Sequence, residues 1–152
     1  MELDVSLGQD EGVYREYEFS PSLIFFLLNL KSHFWLTNKR LIVSTPNTFL
    51  FIPTGKNMYT YHLRNIGSVY TKTDFSFVHL LAGCISILLG LATLSFGLLF
   101  ILLGIWIGIN SFQTVIFIHS SDNTGIEYSY LPWEATEATR MVNELNQVIT
   151  EL

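Results

Sequence analysis

The sequence predicts an α+β chain: a small β-rich domain ending in one amphipathic helix and interrupted by a two-helix transmembrane hairpin. Three observations carry this. No Asp, Glu, Lys or Arg lies between Asp74 and Asp122, and residues 77–109 within that gap form a 33-residue apolar run. That is far longer than the roughly 18 apolar residues that mark a candidate span. On both sides lie short strand-like runs broken by turn residues, and the chain closes on an apolar stripe of helical period.

The elements follow in order. Val13 to Phe19 is rich in aromatics and stops at Ser20-Pro21. Residues 23–30, LIFFLLNL, are apolar but too short to span a bilayer. They read either as a buried core strand or as a loop that docks into a membrane or a neighbouring subunit. Leu23, Ile24, Phe25, Phe26, Leu27 and Leu28 are therefore the candidate membrane or partner interface. Residues 33–37 and 41–43 are strands around an Asn38-Lys39-Arg40 turn. Thr45-Pro46-Asn47 and Pro53-Thr54-Gly55-Lys56-Asn57 carry turn chemistry. Residues 58–63 and 66–73 are further strands, the first alternating Tyr59 and Tyr61 with polar residues.

The apolar run is too long for one span. As a single helix, 33 residues would measure about 50 Å against a hydrocarbon core of about 30 Å. Two helices, 75–94 and 96–112, are expected, turning at Thr93-Leu94-Ser95-Phe96-Gly97. Gly83, Gly90, Gly97 and Gly104 recur every seven residues, and Gly104 and Gly108 form a G-x-x-x-G pair. Small residues let apolar helices approach closely, so these five glycines are the candidate packing surface. Trp106 and His79 belong near the base of the hairpin. Arg64 and Lys72 precede it and the turn is uncharged, which places both termini and the β domain in the cytoplasm under the positive-inside rule. The expected location is the plasma (inner) membrane, multi-pass.

After the hairpin, 113–119 and 126–131 are strands about a turn at 120–125. Pro132 marks a helix start, with Glu134 and Glu137 in its first turn. Ala138, Met141, Val142, Leu145, Val148, Ile149 and Leu152 then recur at steps of three and four. This organises the chain as a discontinuous domain, 1–74 with 113–152, and a hairpin insertion at 75–112.

Charge is segregated. Residues 1–18 carry a net −5, residues 19–73 a net +6 with no acid, and residues 122–152 a net −5. The basic middle either faces anionic headgroups or pairs with the acidic ends. Lys31, Lys39, Arg40 and Lys72 are the candidate headgroup contacts. Lys31 stands alone in the first long connection, so a convergent phosphoinositide site lacks its cations.

Several function classes lack their marks. The single cysteine, Cys84, permits neither an intramolecular disulfide nor a cysteine metal site. His33, His62, His79 and His119 have no ligand-like spacing, and G-x-S-x-G, P-loop and Rossmann patterns are missing. No catalytic, cofactor-binding or metal-ligating residue is assigned. No charge lies in the apolar run to relay protons or couple ions. Nucleic-acid binding is not expected of an acidic chain without a basic aromatic face.

The stretch Phe34-Trp35-Leu36-Thr37-Asn38-Lys39-Arg40-Leu41-Ile42-Val43 resembles the LTNRRLII signature of bacterial pleckstrin-homology (PH)-like membrane proteins. His62-Leu63-Arg64-Asn65-Ile66-Gly67-Ser68-Val69 is similar to a later strand of that family, and Glu18-Phe19-Ser20-Pro21-Ser22 to its opening. The resemblance implies a PH-like bent β-barrel of seven strands capped by the C-terminal amphipathic helix. It further implies a non-catalytic scaffold or assembly subunit. The expected partners are the lipid bilayer and either a second copy or another membrane protein; no nucleic acid is expected. The alternative is an accessory or pore-forming subunit of a channel or transporter, built by oligomerised hairpins. The chain departs from the pattern in carrying its hairpin after the LTNKR strand rather than before it.

Overall fold

The computed structural model describes residues 6–49, 52–93, 97–121 and 125–151. In chain order the elements are β1 (Val13–Phe19), α1 (Leu23–Leu27), β2 (Ser32–Thr37), β3 (Arg40–Phe49), β4 (Ile52–His62), β5 (Ile66–Phe75), α2 (Phe77–Ala92), α3 (Gly97–Asn110), β6 (Phe112–Ser120), β7 (Gly125–Tyr130) and α4 (Ala135–Thr150). Short 3-10 turns fall at Leu63–Asn65 and Pro132–Glu134.

The strands form two sheets, β1-β2-β3-β4 and β5-β6-β7, each antiparallel throughout. This corrects the expectation of a closed PH-like barrel. Among the described residues no ladder joins β4 to β5 or β7 to β1. Between β4 and β5 stands the Leu63–Asn65 turn, with Leu63 buried in the core. The chain leaves the first sheet there instead of pairing onward. The helix α4 holds the sheets together. Its Ala138, Met141, Val142 and Leu145 are buried in one cluster with Phe19, Phe34, Leu41 and Val43 of the first sheet and Val69, Ile116, Ile118 and Tyr128 of the second. Asn146 Nδ2 donates to the Val69 carbonyl at 3.0 Å, and the Tyr17 hydroxyl donates to Glu144 at 2.6 Å.

The prolines near 46 and 53 do not break strands. Pro46 pairs with Lys56 inside β3, and Pro53 lies within β4. The ladder from β2 reaches only to Ser44, so Pro46 withholds no hydrogen bond from it, and β4 is an edge strand. Those are the positions a sheet grants to proline.

Residues 23–30 form neither a core strand nor an irregular loop. Leu23–Leu27 is helical, with Leu30 N bonded to the Phe25 carbonyl at 2.8 Å and Asn29 N to the Phe26 carbonyl at 3.1 Å. Asn29 takes a left-handed conformation, φ 53°. That is the stop motif in which Asn is the commonest substitute for Gly, and it explains why the helix ends there. None of its five residues is buried.

The inserted helices are shorter than expected. The β5–β6 ladder runs on through Asp74–Gln113 and Phe75–Phe112, taking the outermost residues, Phe75 and Phe112, of the two expected helices 75–94 and 96–112. What remains is 16 residues in α2 and 14 in α3. These correspond to about 24 and 21 Å, short of a hydrocarbon core of about 30 Å. Among the described residues no helix is long and apolar enough to cross a membrane. The transmembrane hairpin, and the multi-pass inner-membrane location built on it, are overturned by this finding. The proposed turn residues 94–96 lie outside the described residues, as do 122–124 of the second turn.

Candidate functional site: an apolar helical hairpin

The hairpin grows from the end of a strand pair. Phe75 and Phe112 face each other with ring centroids 5.0 Å apart, and Ser76 N donates to the Ser111 carbonyl at 2.9 Å. Ser76 is the N-cap of α2, and its hydroxyl is 2.6 Å from His79 Nδ1. At the other end, Ser111 Oγ donates to the Gly108 carbonyl at 2.6 Å, closing α3. The two chain ends of the insertion therefore meet.

Glycine makes the seam. A Cβ at Gly83 would stand 2.9 Å from the Gly104 carbonyl oxygen, and one at Gly104 would stand 2.7 Å from that of Gly83. Gly90 and Gly97 face each other in the same way, with a Cβ on Gly90 2.6 Å from the Gly97 oxygen. Real side-chain carbons do not approach that closely, so helices bearing alanine here would have to separate. Ser86, buried in the seam, donates from its hydroxyl to the Phe100 carbonyl at 2.9 Å. Gly108 differs: a Cβ there would meet nothing within 4 Å.

With the seam made of backbone, the large side chains point outward. Fourteen large apolar residues of α2 and α3 are exposed, from Phe77 to Trp106, with Leu88, Leu91 and Leu98 at 65%, 70% and 74%. A monomer rarely exposes an apolar patch beyond a few hundred Å2. The patch continues onto the domain. Helix α1 touches α3, exposed Phe26 packs edge-on against Trp133 at 5.8 Å, and Trp133 lines one end of a groove beside the hairpin. Of the six interface candidates, Phe26 and Leu27 in α1 and Leu28 just after it are exposed. Leu23, Ile24 and Phe25 are half-buried.

The candidate headgroup cations are engaged by their own chain. Lys31 is 2.6 Å from Glu18, Lys72 is 2.8 Å from Asp74, and Lys39 donates to the Gln9 carbonyl at 2.8 Å. Arg40 grips Glu11 through two nitrogens, at 2.7 and 3.0 Å. Hydrogen bonding from Arg40, with further bonds from Gly8 N and the Thr37 hydroxyl, pulls the Glu11 pKa down to about 2. The Lys31 bond likewise holds Glu18 below its ordinary value. Glu144 on α4 is held low by the Tyr17 hydroxyl and by Arg15 and Arg140. Acid–base pairing within the chain thus absorbs much of the charge segregation.

Strand register brings together one set of groups that spacing did not reveal. Glu16 and Glu18 lie on one face of β1, and His33 sits across from Glu18 on β2. His33 Nδ1 is 3.0 Å from Glu16 and 3.5 Å from Glu18, and its ring stacks on Trp35. These three side chains could offer ligands to a cation, their ligand atoms lying within 4.8 Å of one another. Lys31 already occupies Glu18, so the arrangement reads as a charge-paired surface cluster.

Trp133 is the residue of this surface that the sequence pattern does not single out. Its only signal is a large aromatic directly after Pro132, between the last strand and the closing helix. No family model, curated protein or solved structure matches the chain.

Proposed function

We propose that this protein is a non-catalytic assembly subunit that associates with copies of itself through its helical hairpin. One observation carries the reading: the glycine seam leaves the circumference of both helices apolar and exposed. A helix that is apolar all round belongs in an apolar interior. The chain's own helices cover only the seam.

A second copy fits this surface best. The hairpin carries no Asp, Glu, Lys or Arg, so two copies can meet there without burying a charge. Fourteen large side chains, extended by Phe26 and Trp133, approach the 20–30 residues a side typical of stable interfaces. The β domain then acts as the mount that presents the hairpin.

The test is the mass of the purified particle in mild detergent, by light scattering. A dimer or larger is expected, and Leu98→Ser with Leu102→Ser, both outward-facing, should shift it toward monomer. A wild-type monomer, or one that floats with phosphatidylcholine–phosphatidylglycerol vesicles instead of associating, overturns the reading.

A further inference from the structure

A pocket of about 440 Å3 opens on the face of the first sheet that points away from the core. We propose that it binds a phosphate monoester carried on a compact apolar body, with the phosphate between Lys31 and Lys56 and against the Ser44 hydroxyl. The inference is independent of the self-association reading and concerns a different part of the chain.

Strand register builds the site. His33 pairs with Ser44, Ser44 with Met58, and Pro46 with Lys56. Directly opposed residues of an antiparallel pair share a face, and alternate residues of a strand return to it. His33, Ser44, Pro46 and Lys56 therefore lie on one face, while Phe34, Leu41 and Val43 take the other into the core. Lys31 joins the pocket face from just before β2: its Nζ is 2.6 Å from Glu18, whose ladder partner is His33. Strands β2 and β4 flank β3, so the stems of Lys31 and Lys56 start about 10 Å apart, close enough for both ammonium groups to reach one anion. A register shift between Asn47 and Thr48 bends the β3–β4 hairpin, and Pro53, Thr54 and Gly55 of its return strand also line the pocket. Lys31 and Lys56 are far apart in the chain and come together only through the ladder.

Ser44 supplies the argument. It is only 3% exposed, it lines the pocket, and among the described residues nothing bonds its hydroxyl. Buried hydroxyls are almost always hydrogen-bonded, so this one calls for an acceptor from the pocket side. Around it the described lining carries two lysines and no carboxylate. Lysine binds phosphate as a point charge, and two of them match the nearly doubled negative charge of a phosphate monoester at neutral pH. A carboxylate brings about half that charge. Glu18 occupies one of the three Lys31 donors and leaves two. Phosphate alone would fill only part of a volume that falls in the range of small-ligand pockets. Leu30, Pro46 and Pro53 give the rest of the ligand an apolar wall.

The test is calorimetric titration of the full chain, in mild detergent at about pH 7.5, with phenyl phosphate. Saturable binding is expected. Inorganic phosphate should bind more weakly because it leaves the apolar wall bare, and benzoate more weakly because it carries a single charge. Lys56→Gln, at an exposed position, should weaken phenyl phosphate roughly tenfold, the scale of one charge-assisted hydrogen bond. Ser44→Ala should weaken it several-fold with unchanged circular dichroism. Lys39→Gln removes an exposed lysine outside the pocket and should leave binding as it was. Flotation with phosphatidic acid–phosphatidylcholine vesicles that Lys56→Gln abolishes would assign the monoester to a lipid headgroup; saturable titration without such flotation assigns it to a soluble molecule. Absence of saturable binding overturns the proposal. So does equal weakening by Lys39→Gln and Lys56→Gln, or a folded Ser44→Ala protein that binds like wild type. Should Ser44→Ala fail to fold, the comparison of the two lysine variants decides.

Discussion

Glu11 sits on a polar turn, yet its side chain is only 3% exposed. Four donors surround it: two from Arg40, one from Thr37 and one from the Gly8 amide. A bidentate guanidinium pair of this kind is stronger than an ordinary surface ion pair. It clamps the segment before β1 onto the β2–β3 turn. Its pKa falls from 4.5 to about 2, chiefly through the Arg40 hydrogen bond. The sign follows from linkage: a carboxylate depressed in the folded state stabilises it above pH 4.5, and that contribution fades as pH falls from 4.5 toward 2. Glu11→Gln should therefore cost on the order of 1 kcal/mol at pH 7 after screening. The penalty should vanish near pH 2. Urea midpoints of both proteins from pH 7 to pH 2 check this, and a penalty that persists at pH 2 would contradict the assignment. Arg40 is a headgroup candidate in the sequence because residues 19–73 carry six bases and no acid. Its partner lies 29 residues away, and no local pattern links the two.

At the scale of elements, the hairpin combines a legible pattern with a hidden geometry. The seven-residue glycine period marks one helix face in any reading. Which glycines touch which atoms depends on how the helices cross. Gly104→Ala places a Cβ 2.7 Å from the Gly83 carbonyl oxygen and 2.9 Å from Ile87 N. Backbone cannot yield as a side-chain tip can, so the variant should lose about 1–3 kcal/mol, the usual cost of overpacking. Gly108→Ala should lose nothing in the isolated fold. Thermal melts in the same detergent separate the two, and equal melting temperatures would contradict the seam. Residues 23–30 teach the opposite lesson. Eight apolar residues in a row suit a strand or a loop equally well by composition. Asn29 in the left-handed region, accepting the stop of α1, decided for a helix. Helix length was misjudged for a related reason. Phe75 and Phe112 are apolar enough to continue the helices, but they pair across the β5–β6 ladder instead.

At the scale of the molecule, the hairpin is an insertion whose ends are already joined. Ser76 N bonds to the Ser111 carbonyl at 2.9 Å, and β5 and β6 are neighbours up to that point. Replacing residues 77–110 by a short Asn-Gly turn should therefore leave an ordinary β-hairpin and a domain that still folds, since its core draws nothing from α2 or α3. Cooperative unfolding with native near-ultraviolet circular dichroism is the expected outcome. A molten chain would mean that the hairpin contributes to the core. The same variant should be monomeric if the hairpin mediates assembly.

The chain's order of β-rich runs, apolar insertion and amphipathic helix was determined by the sequence alone, because each rests on a local period or composition. The seven-residue glycine period and the closing helix were legible for the same reason. Only the tertiary structure decided that the strands form two sheets rather than a barrel, that α4 bridges them, and that the inserted helices stop short of a bilayer's thickness. Those outcomes turn on ladder register and on contacts between residues far apart in the chain. A one-residue change in where β5 ends moves both a helix start and a hydrogen bond, and composition does not record it.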